Sequence, residues 1–479
     1  MFSGGRVLRA ALSLRRMRDS SSVQRVVDHI MAAVNASEAG AQLPSTRELA
    51  AELRVGPVTV QRALDRLVAQ GWVLTRPGAG SFVAPRRTRA RADTAWQDVT
   101  IGPNRIDAAA LASALDSSTP GVLQMGTGLV DEELRPEAQL ARAMARAARR
   151  PGAWAAPPAR GVAELRLWFA GQLGVNADDV TITTGEQAGL SAALRALVSA
   201  GEAVMIATPA YPGVLAIARS AGLVPVAVPV DEHGVRVDLV ERAALQTGAR
   251  VLYLQPTFAN PDGSVLSAER RTELLDIAHR LGLALIEDDW ARWLPHGRGV
   301  PSPLLSEDQH GHVITLCSLT KVMAPSMRIG AVIGRGTVAA RIADMRVVDD
   351  LYVSAPLQYA AVEFASSEAW KSHQRTLSGK LASRCAALVA ELQVALPDSC
   401  VLTRPSGGVF LWLALPPGVN DVDLARQAAL RKVFVVAGRD FMLNSPAQGH
   451  LRLSFAAIRE SDAREAVGRL ADALSVLTP

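Results

Sequence analysis

Five short runs, Val204-Met205-Ile206, Val226-Ala227-Val228, Val251-Leu252-Tyr253-Leu254, Ala284-Leu285-Ile286 and Val313-Ile314-Thr315-Leu316, are apolar at nearly every position rather than at alternate ones. A strand with one face in water alternates apolar and polar residues, whereas a strand apolar throughout is covered on both faces. Helical spacing fills the stretches between the runs. They therefore predict buried, mostly parallel strands packed between helices, an α/β architecture from about residue 120 to 479. The 479 residues exceed the roughly 100–200 that one domain ordinarily holds, so a further folded unit is expected. No apolar run approaches the roughly 18 residues of a membrane span. Cys317, Cys385 and Cys400 stand far apart with no CxxC pair, which argues against a disulfide framework and against a metal site. A soluble, cytoplasmic protein with no metal and no membrane partner is expected.

The second unit lies near the N-terminus. Val23, Val26, Val27, Ile30 and Val34 recur at helical spacing. Ser45-Thr46-Arg47-Glu48 reads as a capping box that starts a second, short helix. Pro57 suits the first turn of a third helix, whose Val60, Ala63, Leu64, Leu67 and Val68 share a face until Gly71 stops it. Trp72-Val73-Leu74-Thr75 and Ser81-Phe82-Val83 then flank a Gly-rich turn, the pattern of a hairpin. Residues 1–92 hold fifteen Arg, no Lys and six acids, a charge of +9, while the remainder carries −4. Such an asymmetry suits a polyanion through Coulomb attraction and counterion release, and equally a solvated basic surface.

From Leu43 to Val83 the order of helix, turn, helix and hairpin wing resembles the DNA-binding domain of the GntR family of bacterial regulators. The resemblance implies a winged helix-turn-helix over 20–84 that meets double-stranded DNA with its third helix in the major groove. Thr59, Gln61 and Arg62 are then the candidates for base edges, and Arg47 and Arg66 for phosphates or bases, with Gly80 in the wing. Gly56-Pro57 stands where relatives often show Ser-Arg, so operator sequence does not transfer. Residues 1–19 are expected to be a basic extension rather than a transit peptide, and 85–119, rich in Arg, Ala and Asp, a flexible linker.

In the large unit the residue that stands out is a lysine. The chain has only four, Lys321, Lys371, Lys380 and Lys432, against 47 Arg. A Schiff base to an aldehyde is a role that only a primary amine fills. Ser318-Leu319-Thr320-Lys321 followed by Arg328 resembles the cofactor-lysine motif of fold-type I aminotransferases, directly after an expected buried strand. The resemblance implies pyridoxal 5′-phosphate, with Lys321 as its covalent and catalytic residue and with Ser318 and Arg328 on its phosphate. It places Asp288, at a strand end, against the pyridine nitrogen, Asn260 on the phenolic oxygen and Tyr211 on the ring face. Gly185, Glu186 and Gln187 open a helix whose N–H groups face an anion. Arg452, in Leu451-Arg452-Leu453-Ser454-Phe455, is matched to the residue that clamps a carboxylate. Two departures stand out: Trp290 replaces the usual Tyr two residues after Asp288, and a Tyr expected before Gly161, near Trp154, is missing.

Head and large unit together are similar to the MocR subfamily, which implies a homodimeric regulator that senses a small amine, an amino acid or a vitamin B6 species through a Lys321 aldimine, over an effector domain spanning 120–479. An active aminotransferase with a vestigial head, and a regulator whose large domain is a cofactor-free dimerisation scaffold, are the alternatives. Whether transaminase turnover survives, and which effector is used, the sequence leaves open.

Overall fold

Ser45 starts the second helix of the N-terminal unit as its spacing predicts: its hydroxyl accepts from Glu48 N at 3.2 Å, and its own N–H donates to the Glu48 carboxylate at 2.8 Å. The computed structural model describes residues 22–85, 92–101, 120–297 and 299–478. The expected basic extension and most of the expected linker lie outside them. The chain divides into two compact units, residues 1–103 and 104–479.

In the first unit α1 (22–36), α2 (Thr46–Glu52) and α3 (Pro57–Ala69) precede strands β1 (Val73–Arg76) and β2 (Gly80–Val83). Pro57 sits in the first turn of α3, where its missing N–H costs nothing. Val26, Ile30, Leu49, Val60, Leu64, Leu67 and Val73 close one core between the helices and the hairpin. The strands pair antiparallel from Val73↔Val83 to Arg76↔Gly80, which leaves Pro77-Gly78-Ala79 as the tip. In the stretch expected to be linker, Ala95–Thr100 forms a short helix, with Trp96, Val99 and Ile101 exposed. No apolar periodicity announces it, and its residues with described side chains are all exposed.

The second unit is built on β3 (Leu123–Gln124), β4 (Val180–Thr183), β5 (Ala203–Thr208), β6 (Val224–Asp231), β7 (Gly234–Val235), β8 (Val251–Leu254), β9 (Ala284–Asp288), β10 (Val313–Ser318) and β11 (Gly330–Ile333), followed by β12 (Val401–Thr403), β13 (Phe410–Ala414), β14 (Val433–Phe434), β15 (Val436–Ala437) and β16 (His450–Ser454). Eight of them form one sheet in the order β4-β11-β10-β9-β8-β5-β6-β7, parallel except for β11 and β7. The five apolar runs fall in β5, β6, β8, β9 and β10. Four are buried as expected, save that Ala284 at the start of β9 is half-buried. The run in β6 is not, since only its Val228 is buried, beside the two-residue strand that ends the sheet. A smaller antiparallel sheet, β12-β13-β16-β15, carries Phe410 and Arg452 on adjacent strands and packs with the helices Glu368–Ala395 and Glu460–Ser475. The carboxyl ends of β8, β9 and β10 are neighbours, and a crevice there is where open α/β sheets bind ligands.

Candidate functional site

That crevice holds a cavity of about 550 Å³, lined by residues that include Glu186, Tyr211, Asn260, Asp288, Lys321, Arg328 and Arg452. Chain order and sheet order bring them together. Asp288 ends β9 and Ser318 ends β10, while Lys321 follows on the loop that returns the chain into β11. Tyr211 caps the helix Pro212–Ser220 after β5, and its hydroxyl donates to Gln187 Oε1 at 2.9 Å. Gly185 caps the helix Glu186–Leu197 at φ +76°, and a Cβ there would lie 2.7 Å from the Arg328 guanidinium. The positive φ is what favours glycine at that turn, and the absence of a Cβ lets the Arg328 guanidinium come close. Ser318 is buried and its hydroxyl accepts from Thr320 N at 3.1 Å, while Arg328 is exposed at the rim and reaches Thr184 O at 3.4 Å.

Two residues that sequence reasoning did not single out fix Asp288. The Tyr253 hydroxyl and Gln255 Nε2, the latter at 2.9 Å, both donate to Asp288 Oδ2. The signal was present, since residues 253 and 255 point to the same side of a strand by the two-residue period. Only the β8–β9 pairing, Leu254↔Glu287, carries that side to Asp288. Asp288 Oδ1 is shielded from solvent and has no hydrogen-bond partner. Glu186 turns its side chain into the cavity and hydrogen-bonds Asp288, and burial first, then the Asp288 charge, hold its carboxyl well above the ordinary range. Burial also raises Asp288, but its donors Glu186, Tyr253 and Gln255 oppose this. Of the pair, Glu186 therefore keeps the proton and Asp288 the charge.

Lys321 forms no ion pair among the described residues, and enclosure of its amine pulls its pKa down to about 8, with Arg452 and Arg328 pushing the same way and Glu186 opposing. Arg452 is buried and donates only to neutral acceptors, Asn260 Oδ1 at 3.1 Å and Gly126 O at 2.6 Å. Its guanidinium lies 4.0 Å from the Phe410 ring centroid, and burial lowers its pKa to about 9. Trp290 spends its indole N–H on Phe258 O at 3.1 Å and sets its ring 5.6 Å from that of Phe410. Trp154 is 78% exposed and bonds Ala148 O within its own chain. A second cleft of about 600 Å³, beside Pro212 and Gly449, is open to solvent, and its Arg439 is already paired with Asp421.

In the N-terminal unit Arg47, Gln61, Arg62, Arg66 and Gly80 are exposed and Thr59 is half-buried. Thr59, Arg62 and Arg66 fall on one face of α3 by i, i+3, i+7 spacing. Gln61 bonds Asp65 at 2.8 Å, and Arg66 reaches Gln24 of α1 at 2.9 Å, so both are partly engaged within the chain.

Residues 121–470 match the family model described as aminotransferase class I and II, and residues 22–83 match that of the gntR family of bacterial regulatory proteins. The 2-aminoadipate transaminase of Thermus thermophilus is 31% identical over 78% of this chain and 96% of its own. The crystal structure of LysN, an alpha-aminoadipate aminotransferase of the same organism complexed with N-(5'-phosphopyridoxyl)-L-leucine, superposes with a TM-score of 0.74 at 30% identity, covering 78% of this chain and 96% of that one. The probable rhizopine catabolism regulatory protein MocR of Rhizobium meliloti is 28% identical over 92% of this chain and 90% of its own.

The fold and these relatives imply pyridoxal 5′-phosphate, and the residues present fit it. Asp288 Oδ1 is the orphaned acceptor that a protonated ring nitrogen would meet. Gly185, having no Cβ, lets the Arg328 guanidinium lie against the N-terminus of the helix Glu186–Leu197, a cradle of cation and free N–H groups that suits a phosphate. With the Asn260 oxygen engaged by Arg452, its amide NH2 is the group left to donate. The cradle depends on Gly330, the first residue of β11, where a Cβ would lie 2.8 Å from Glu186 N and Gly185 C and 2.9 Å from Cys317 O. All three are backbone atoms, so the helix start must move. Gly330→Ala is expected to weaken pyridoxal phosphate binding by about tenfold or more and to destabilise the fold by about 1–3 kcal/mol. Fluorescence titration and thermal melting test this, and unchanged cofactor affinity would count against the cradle.

Proposed function

The chain belongs to the aminotransferase class I and II family and carries a GntR-type head that implies DNA binding, and from this we propose a transcription regulator that holds pyridoxal 5′-phosphate and senses a small amine, amino acid or vitamin B6 species with it. We read residues 20–84 as the DNA-binding domain, 85–119 as the linker and 120–479 as the effector domain. The observation that carries the reading is Arg452, a buried cation that forms no ion pair among the described residues, facing the same cavity as Lys321 in a chain with a GntR-type head. When bound, the cofactor supplies an aldehyde that condenses with primary amines and a pyridinium ring that withdraws electrons. Lys321 is the amine placed to hold it, and its lowered pKa keeps a working fraction unprotonated near neutrality. Asp288, held by Tyr253 and Gln255, keeps a negative charge at the ring nitrogen's place. Ser318, Arg328 and the N–H groups of Gly185, Glu186 and Gln187 hold the phosphate, Asn260 the phenolic oxygen and Tyr211 the ring face. Arg452 then receives an effector carboxylate with a bidentate fork. An effector that binds two conformations unequally shifts the population competent for DNA.

Two heads of a homodimer would address paired half-sites. Thr59, Gln61 and Arg62 face the bases, and Arg47, Arg66 and the Gly80 wing face the backbone. The experiment is DNA binding by the full chain, to a duplex selected from a random pool, with and without pyridoxal phosphate and a panel of amines. At least a tenfold change in affinity with one amine is expected, and no change with any would sink the sensing role. Arg47→Ala is expected to weaken binding about equally across sequences and to flatten the slope of log K against log salt by about 1. A changed sequence preference with an unchanged slope would instead make Arg47 a base reader. The complete set of Lys321, Asp288 and Arg452, and the 31% identity to a transaminase, favour a second reading, a working aminotransferase. Turnover of amino acid and keto acid without any effect on DNA binding would select it.

A further inference from the structure

Asp288 and Glu186 both line the cavity, and the structure puts their carboxyl groups in contact. In the reading proposed above, on which this inference rests, Asp288 marks the place of the ring nitrogen. Glu186 reaches it from the phosphate's end of the site, because it is the first residue of the helix Glu186–Leu197, whose N–H groups face the anion, and its side chain turns inward. In the cofactor those two ends share one edge of the ring, since the phosphate arm leaves the carbon next but one to the nitrogen. Glu186 therefore meets both anchor points, one with its backbone and the other with its side chain. The Tyr253 hydroxyl and Gln255 Nε2 donate to Asp288 Oδ2, and the Trp290 backbone N–H and the Glu186 carboxyl also donate to Asp288. A carboxylate shared among several donors is stabilised as the anion and offers less charge to any further one. Glu186 differs from the others in being an acid itself, so it donates only while it keeps its proton. Burial and the Asp288 charge favour that form, Asp289 adds to them and Lys321 opposes. Its Oε1 is shielded from solvent with no partner, which a neutral carboxyl tolerates far better than a buried anion would.

We infer that Glu186 is a positioning residue that acts on the cofactor through Asp288: as a neutral acid it draws off part of the carboxylate's charge, so that the ring nitrogen is less basic in this site than Asp288 alone would make it. Such a ring withdraws electrons less strongly. Exchange of one amine for another at the aldehyde carbon does not call on that withdrawal, whereas removal of a proton from a bound amine does. Glu186 thus favours reading amines over converting them.

The test loads the full chain with pyridoxal phosphate carrying nitrogen-15 in its ring and follows that nitrogen by NMR from pH 6 to 10. In wild type the ring is expected to lose its proton within this range. In Glu186→Met, which keeps the length of the side chain and removes the donor, the midpoint is expected to rise by about one unit or more. Glu186→Gln, which donates through its amide and never ionises, should stay nearer to wild type than Glu186→Met does. A wild-type ring protonated throughout, or a midpoint that Glu186→Met leaves in place, overturns the inference. So does a midpoint that falls in Glu186→Gln, because Glu186 would then be acting as an anion. Each of these results leaves the cofactor bound and the sensing role intact, whereas a wild-type chain that retains no labelled cofactor sinks that role and this inference together. If Glu186→Met fails to fold, the wild-type titration and Glu186→Gln still decide.

Discussion

Lys321→Ala is expected to abolish the visible absorption band that develops when pyridoxal phosphate is added to the full chain, and with it retention of the cofactor through dialysis. Lys321→Arg is expected to fail equally, because a guanidinium keeps the charge but does not condense with an aldehyde. The pH dependence separates this lysine from an ordinary one. Enclosure disfavours the ammonium and brings the Lys321 pKa down to about 8. At pH 7 about one tenth of such an amine is unprotonated, against about 0.04% for a lysine at its usual pKa near 10.4, a ratio on the order of 200. The neutral amine is the nucleophile, so capture of the cofactor should quicken about tenfold per unit as pH rises from 6 towards 8 and level off above it. The measurement is the rate of appearance of the band between pH 6 and 10 in wild type. A rate still climbing tenfold per unit at pH 10 would mean an exposed, unperturbed amine, and a band that persists in Lys321→Ala would remove the lysine from the chemistry.

How much of this was legible in the sequence follows the range of the interactions concerned. The capping box of Ser45 and Glu48, the turn at Pro57 and the wing are local, decided within four residues of chain, and the structure has them where the spacing puts them. The buried runs were legible because solvent exclusion on both faces leaves a mark at every position. β4 was legible as Val180-Thr181-Ile182-Thr183 ahead of the Gly185 turn, but β11 was not announced in the same way: it is four residues long and emerges from the tail of the Lys321 segment, where Arg328 interrupts the apolar pattern. The site residues with motif positions could be named one by one. Their mutual geometry could not, since Tyr253, Gln255 and Asp288 meet through pairing of strands about thirty residues apart in the chain. Glu186 is the sharpest case. In sequence it is a residue whose backbone opens a helix, yet in the structure its side chain turns inward and hydrogen-bonds the very acid expected to face the ring. Nothing in Thr184-Gly185-Glu186-Gln187 distinguishes an inward from an outward carboxyl.

Arg452→Met is expected to leave the fold nearly as stable as before while removing recognition of carboxylates. The reasoning weighs two costs. As it stands, the guanidinium is buried with its Nε unpartnered and with only Asn260 Oδ1 and Gly126 O, both neutral, as acceptors. A desolvated charge so weakly compensated costs several kcal/mol, and its replacement by an apolar side chain of similar length is commonly neutral or stabilising. Against this, the substitution strands two acceptors at about 1–3 kcal/mol each. A thioether beside the Phe410 and Phe441 rings, which Arg452 now overlies at 4.0 and 4.9 Å, recovers part of that loss. The two sides nearly cancel, so the melting temperature should move by roughly a few degrees at most. Binding behaves differently, since among the described residues no other cation lines the cavity once the cofactor holds Lys321 and Arg328. Loss of one partner of a desolvated ion pair costs about 2–5 kcal/mol, or at least a thirtyfold loss of affinity for 2-aminohexanoate. Pentylamine, the same chain without its carboxylate, should bind wild type and Arg452→Met within about threefold of each other, because Arg452 has nothing to hold in it. Calorimetry with both probes decides: if both amines lose affinity together, Arg452 shapes the cavity rather than reading the carboxylate, and if neither does, the carboxylate is held elsewhere.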